Sequence, residues 1–266
     1  MGNVLDMFRL DGKVALVTAG AGKYGGQMVL ALLQAGAEVW VASRSLEKNI
    51  AFAEDLRKQG YKKIHAASYD QGDEASIIAL RDKIMSESGR FDILVNNSVY
   101  RSAVYGWYGD ASNFTKSLEI NGTGMFLITR TFGEIMAKQG SGSIINIGSY
   151  MGDLGADEWL YAGSESMKGS GFALPDYFFH KGGMHNFTKL IAAFYGPKGV
   201  RCNCLSLGGL FNNQDPEFVK RYSTKTFLGR MANETDIMGM IVYLASDASA
   251  YVTGTVIPID GGYSAK

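Results

Sequence analysis

Tyr177 and Lys181 stand four residues apart in Tyr177-Phe-Phe-His-Lys181, at the opening of a long amphipathic stretch, so in a helix they share one face. A phenol and an ammonium on one face make a proton-transfer pair. A phenol ordinarily titrates near 10, and an ammonium about 4 Å away, at an effective dielectric near 20, interacts with a phenolate by roughly 4 kcal/mol. That is enough to lower the phenol by about three units, toward neutrality. With 14 tyrosines in 266 residues, the spacing also arises by chance, so the pair alone leaves open two unrelated residues on a solvated face.

The elements that must position this pair follow from the order of apolar runs. Lys13 to Thr18 (KVALVT) reads as a strand, AGAGKYGG as a glycine loop and QMVLALLQAG as a helix with Met28, Val29, Leu32 and Leu33 on one stripe. The loop Gly20-x-Gly22-x-x-Gly25, with Lys23 and Tyr24 inside it, then offers backbone N–H groups at a helix N-terminus, a cradle for a dinucleotide's phosphates. A strand from Glu38 to Ser43 ends at Ser43-Arg44, where an NAD-preferring site commonly carries an acid. Arg44, assisted by Lys23, instead suits a 2'-phosphate and favours NADP, with NAD still possible; as solvated loop cations the two would say nothing. Asp70, after a strand at Ile64 to Ser68, stands either against an adenine amino group or as a cap for the helix starting near Asp73.

Phe91 to Asn96 is a buried-type strand ending in Asn96-Asn97-Ser98-Val99, and Ser143 to Gly148 is another, with Ser149 just beyond it, where α/β sheets place ligands. Taken singly, Ser149 reads as a turn or cap residue. Between them a helical region from about Asp110 to Lys138 contains Asn121 before Gly122, which is locally unfavourable and marks a distortion with a use. Val200 to Ser206 and Thr255 to Ile259 supply the last strands, and Asp215 to Thr226, after a strand's carboxyl end, is expected to be a mobile flap over the substrate.

Composition bounds the rest. With 46% hydrophobic and 20% charged residues, the chain suits one large α/β domain spanning 1–266. A formal net charge of zero without a basic run argues against nucleic acid. Cys202 and Cys204, one residue apart on a strand, point to the same face without disulfide geometry, which suits a reducing cytoplasm. No stretch offers the roughly 20 apolar residues of a membrane span, and MGNVLDMFRLDGK lacks an apolar signal core. His65, His180 and His185 lack metal-ligand spacing, so no metal is expected.

From about Leu10 to Ser264 the sequence resembles the single-domain short-chain dehydrogenase/reductases, on LDGKVALVTAGAGKYGG, Asp70, VNNSV, Asn121, INIGS ending at Ser149, Tyr177-x-x-x-Lys181 and the tail LGRMANETDIMGMIVYLASDASAYVTGTVIPIDGGYSA. The resemblance implies a Rossmann-type doubly wound α/β fold: a mostly parallel sheet of about seven strands, order 3-2-1-4-5-6-7, with helices on both faces. It implies Tyr177 as general acid/base, Lys181 lowering its pKa and holding the nicotinamide ribose, Ser149 bonding the substrate oxygen and Asn121 positioning a relay water. It also places Asn97 and Gly208 beside the cofactor, and implies a homotetramer or homodimer built partly on the helices of Asn121 and Tyr177. The latter's Phe187, Leu190, Ile191 and Phe194 exceed one narrow stripe and so suit a core and a partner together.

Departures from the family pattern are local. Ala19 and Lys23 occupy two of the usual glycine places, Val99 and Leu207 replace a glycine and a proline, and Ser149 and Tyr177 are about twice as far apart as the family has them. Tyr161 sits at the ordinary spacing, but four residues on stands Glu165, which would raise a phenol's pKa, so Tyr177 is assigned and most of about 153–176 is read as an insertion by the site. With Tyr150, Trp159, Tyr161 and the acids Asp157, Glu158, Glu165 and Asp176, this region suits a small polyhydroxylated substrate better than an acyl chain, and Arg101 is placed to bind a carboxylate or phosphate on it. The expected activity is an NAD(P)-dependent interconversion of a secondary alcohol and a ketone. The alternatives are a 3-oxoacyl-type reductase and a catalytically silent nucleotide binder of the same fold.

Overall fold

The computed structural model describes residues 3–101, 107–162 and 174–265. Seven parallel strands form one sheet in the order β3-β2-β1-β4-β5-β6-β7: β1 (Val14–Thr18), β2 (Glu38–Ser43), β3 (Ile64–Ser68), β4 (Ile93–Asn96), β5 (Gly142–Ile147), β6 (Val200–Leu207) and β7 (Val256–Ile259). This is the expected order, and the strand ends differ from the sequence reading by a residue or two, which is the scatter of fraying termini.

Alternation along each strand feeds two cores. Ala15 and Val17 of β1 join Val39, Val41 and Val95 under α1 (Lys23–Gln34), α2 (Leu46–Lys58) and α9 (Met238–Ala245). Val14 and Leu16 turn the other way, with Trp40 and Leu94, onto α3 (Glu74–Ser88), α5 (Gly124–Gln139) and α7 (Pro175–Tyr195). Because both faces are covered, strands such as VALVT, apolar over Val14 to Val17, are buried throughout. Cys202 and Cys204 are buried free thiols on the side that faces α5 and α7.

Caps stop and start the helices where the sequence has short polar residues. Ser45, Asp73 and Asp110 each accept a backbone N–H at the N-termini of α2, α3 and α4 (Ala111–Leu118), and Gly89 ends α3 in the left-handed region with φ of 72°. Between α4 and α5 the chain widens into a π-turn over Glu119–Thr123, which holds Asn121 and is the distortion that Asn-Gly implied. The expected flap is instead a helix, α8 (Pro216–Lys225), capped by Asp215. Tyr222 is buried beneath it, and Arg221 and Lys225 tie it to α6 (Glu158–Tyr161) through Trp159 O, at 3.1 Å, and Asp157, at 2.9 Å. Buried aromatic surface outweighs the solubility of its exposed face, so the segment docks. Of the region read as an insertion, residues 163–173, with Glu165, lie outside the described residues. No helix among the described residues is long and apolar enough to cross a membrane.

Candidate active site

The carboxyl ends of β4, β5 and β6 face the first turns of α7, and the reactive groups gather there. Ser149 leaves β5 in an extended conformation, caps a 3-10 turn at Tyr150–Gly152 and is buried. Its hydroxyl accepts from Met151 N at 3.2 Å and lies close enough to the Tyr177 phenol to favour the ionised form. One turn along α7, the buried Lys181 donates from Nζ to Ile147 O at 2.6 Å, and Nζ lies 5.5 Å from the centre of the Tyr177 ring.

The electrostatics differ from the sequence expectation. Burial pushes the Tyr177 phenol above its ordinary value, opposed by the Ser149 hydroxyl and by the positive charge of Arg101. Burial likewise brings Lys181 down to about 8, with the nearby Cys204 thiol opposing and Arg101 reinforcing the shift. The ammonium is turned onto a strand-end carbonyl, so desolvation rather than a lysine–phenol pair sets the Tyr177 baseline. The exposed Arg101 lies near enough for its charge to act on both groups.

Asn121 is fixed on every side. Its Oδ1 accepts from Tyr100 N at 2.7 Å, and its Nδ2 donates to Tyr100 O at 2.8 Å and to Ser117 Oγ at 3.0 Å. Ser117 Oγ in turn donates to the buried Asp176 at 2.6 Å. Spacing in the sequence gave no sign of this chain of bonds.

Tyr150 and Tyr161 do meet, in a buried aromatic cluster, but with partners the sequence reading missed. Tyr150 packs on Tyr222 at 6.2 Å and on Tyr263 at 4.6 Å, and Tyr161 on Phe218 of α8 at 5.1 Å. The Tyr161 phenol is raised by burial first, then by the neighbouring Tyr177 and Asp157, so it borders the reactive phenol. Trp159 is not brought into this cluster. It is 48% exposed, with Arg221 and Lys225 of α8 at 5.7 and 5.1 Å from its ring. Residues two apart on a helical turn diverge by roughly 200°, so Trp159 and Tyr161 cannot share a pocket wall. The pairing of Tyr263 with two glycines near the chain's end was the available signal; Tyr222 offered none.

Most residues assigned to a cofactor lie just past the carboxyl ends of β1, β2, β3, β4 and β6. Helix α1 starts at Gly22 with no side chain capping its first turn, leaving backbone donors for an anion. A Cβ on Gly25 would sit 2.5 Å from Ala19 O, so the loop and helix can approach this closely only at glycine. Asn97 donates from its side chain to Thr18 O at 2.9 Å and to Ala19 O at 3.3 Å, so it braces the glycine loop. Gly208 has no room for a side chain beside Asp260, and Gly20 none beside Val41. Lys23 donates to Asn212, across from the loop, and Tyr24 packs at the edge of the core by α1. A cavity of about 160 Å³ is lined by Ser43, Arg44, Tyr69, Asp70, Gln71 and Ser98, among others. Its Ser43 hydroxyl is held by Asn49 at 2.9 Å, while Asp70 accepts from Gly72 N at 2.8 Å and Asp73 serves as the cap of α3. Uncapped donors, a glycine contact and a small polar cavity beyond two strand ends fit a dinucleotide with its adenosine end at Arg44 and Asp70.

Ala19, one of the two departures in the loop, has a φ of 52°, in the left-handed region that favours glycine. Ala19→Gly is expected to stabilise the protein by about 0.5–1 kcal/mol, the relief of left-handed strain less the added chain entropy. Thermal unfolding would register this as a rise of about 2 °C in Tm; an unchanged or lower Tm would contradict it.

The histidines serve packing. His65 stacks on Trp40 at 4.6 Å and His185 Nδ1 lies 3.0 Å from Asp153. Among the described residues no three His, Cys, Asp or Glu are grouped to hold a metal.

Comparison with known proteins agrees with this geometry. The family model described as Enoyl-(Acyl carrier protein) reductase matches residues 24–264. The D-threitol dehydrogenase of Mycolicibacterium smegmatis is 31% identical, over 97% of this chain and 95% of its own. Galactitol 2-dehydrogenase (L-tagatose-forming) of Cereibacter sphaeroides is 28% identical, over 97% of each. Among solved structures, a gluconate 5-dehydrogenase from Burkholderia cenocepacia J2315, in complex with NADP and tartrate, superposes with a TM-score of 0.87 at 27% identity, covering 99% of this chain and 100% of its own.

Proposed function

Since this chain belongs to the short-chain dehydrogenase/reductase family, we propose that it is an NAD(P)-dependent oxidoreductase that interconverts a secondary alcohol and a ketone on a small polyhydroxylated substrate. The observation that carries the reading is the grouping of the Ser149 hydroxyl beside the Tyr177 phenol with Lys181 buried one helical turn away, its Nζ 5.5 Å from the Tyr177 ring. The nicotinamide, when bound, supplies or accepts the hydride. Tyr177 passes its phenolic proton to the substrate oxygen in reduction and removes it in oxidation. Ser149 holds that oxygen, and the Lys181 ammonium stabilises the phenolate formed as the proton leaves. Asn121 orients the water through which Tyr177 is reprotonated.

The aromatic cluster beside Tyr177 supports a sugar-like substrate. Tyr150, Tyr161, Tyr222 and Tyr263 offer faces to C–H groups and hydroxyls to hydroxyls, whereas an acyl chain needs an unbroken apolar wall. Arg101, acting electrostatically on both Tyr177 and Lys181, suits a carboxylate on that substrate. The relatives named for threitol and galactitol and the structure named for gluconate support the same class. Following reduced-nicotinamide absorbance with purified protein and a panel of polyols, sugar acids and 3-oxoacyl thioesters tests it. Turnover of polyols or sugar acids is expected; turnover of the thioesters alone would overturn it.

For the cofactor, Arg44 beside the adenosine cavity favours NADP. Arg44→Asp is expected to weaken NADPH binding about tenfold or more, the loss of a charge-assisted pair to phosphate, and to favour NADH relatively. Equal wild-type affinity for the two cofactors, by fluorescence titration, would contradict the assignment.

A second copy suits the outer face of α7. Ile191 is in the core while Phe179, Leu190 and Phe194 are exposed, and an apolar groove of about 510 Å³ lies between the π-turn and α7, against Phe126, Met184 and Phe187. A cytoplasmic homodimer or homotetramer is expected. Sedimentation at micromolar concentration giving only the monomer mass would exclude it.

A further inference from the structure

Asp176, the residue just before Tyr177, is a carboxylate 3% exposed at the start of α7. A buried carboxylate is costly unless hydrogen bonds compensate it, so its retention implies a task. It accepts from Ser117 Oγ at 2.6 Å, a short charge-assisted bond, and Ser117 accepts from Asn121 Nδ2 at 3.0 Å. Ser117 is fully buried and Asn121 is 1% exposed, so water does not compete for these groups.

The order of donors along this chain has a directional consequence. A serine hydroxyl has one proton. Aimed at Asp176, it leaves only lone pairs toward Asn121, and these require the NH₂ side of the Asn121 amide. The amide oxygen is then turned to Tyr100 N, at 2.7 Å, and the second Nδ2 proton to Tyr100 O, at 2.8 Å. The Tyr100 backbone pair selects this same amide orientation, and the Asp176–Ser117 bond reinforces it and ties the π-turn, the Tyr100–Arg101 segment and the first turn of α7 to one another.

We propose that Asp176 is a positioning residue for the proton-transfer step: through Ser117 it fixes Asn121 relative to Tyr177. This inference rests on the alcohol–ketone reading above. Asp176→Ala and Ser117→Ala are each expected to lower kcat about tenfold, the loss of one buried hydrogen bond at the transition state, with KM and NADPH affinity within about twofold of wild type. Asp176→Asn, which keeps an acceptor for Ser117, should retain about half of kcat or more. The double variant should be no slower than the slower single one, because both changes cut the same chain.

Exchange of the Asn121 side-chain amide protons, followed by NMR on the folded proteins, supplies a measurement that needs no turnover. It should be slow in the wild type and Asp176→Asn, and at least about tenfold faster in Ser117→Ala. Unchanged exchange in Ser117→Ala would overturn the proposal, whatever the activity. So would wild-type kcat in both alanine variants, additive losses in the double variant, a loss carried by KM or NADPH affinity, or an Asp176→Asn enzyme as slow as Asp176→Ala. A wild-type protein that turns over none of the panel would instead defeat the alcohol–ketone reading, and the exchange measurement would still decide whether the chain orients Asn121. Ser117→Ala removes a single hydroxyl, so the test stands even if Asp176→Ala does not fold.

Discussion

Tyr177→Phe lowers turnover by about 10²-fold or more, the contribution of a positioned general acid/base, and leaves NADPH affinity within about twofold because the ring and its packing are kept. The prediction follows from location rather than from residue type. Tyr177 is the phenol beside Ser149 and one turn from Lys181, whereas Tyr161 is bordered by Tyr177 and Asp157 and packs on Phe218. Tyr161→Phe is therefore expected to change KM more than kcat. Steady-state kinetics of the two variants on one polyol discriminates between them: activity lost in Tyr161→Phe and kept in Tyr177→Phe would reverse the assignment. A loss of about 10²-fold corresponds to about 3 kcal/mol at the transition state, more than truncation of a hydroxyl in a substrate wall would produce.

Lys181→Met is expected to lower kcat by a similar factor and to change the pH dependence of stability in a defined direction. Burial disfavours the charged form of Lys181 and brings its folded-state pKa down to about 8, from a lysine's ordinary 10.5. Between these values the unfolded chain holds more protons than the folded one, so this group makes stability rise with pH. Its destabilising contribution is fully present below about 8 and disappears by about 10.5. A shift of this size corresponds to about 3 kcal/mol. Relative to Lys181→Met, the wild type should therefore gain about 3 kcal/mol between pH 7 and pH 10.5. Chemical denaturation of both proteins at several pH values tests this; a difference independent of pH would contradict a buried, depressed ammonium. The same burial that weakens the fold near neutral pH keeps the lysine beside the reactive phenol, a stability cost located at a functional site.

The site was partly legible because some of its determinants are local. Tyr177 was separable from Tyr161 by what stands four residues later, Lys181 or Glu165, since residues at that spacing meet within one helical turn. Asn121 was detectable as a residue at odds with its helix, and it lies in the π-turn. Ser149 stood past an apolar strand, at the edge where parallel sheets open. Trp159 was assigned with Tyr161 from proximity in sequence, and the turn of α6 separates them. The segment from Asp215 to Thr226 was read as a flap because it follows a strand's carboxyl end, while the surface that receives Tyr222 is made by Tyr150 and Tyr263, far along the chain.

From its residues alone the chain specified the runs that become the seven strands, the glycine loop and the reading of Tyr177 with Lys181, while the strand order came from the family resemblance. Continuous apolar runs, glycine positions and four-residue spacing act within a strand or a turn, and need no knowledge of what packs above them. The level of the Tyr177 phenol, the Lys181 ammonium turned onto Ile147, the buried tyrosine cluster and the path from Asp176 through Ser117 to Asn121 were settled by packing. Desolvation depends on every segment that covers a group, and a hydrogen bond between Ser117 and Asp176, 59 residues apart, exists only once two helices have been brought side by side.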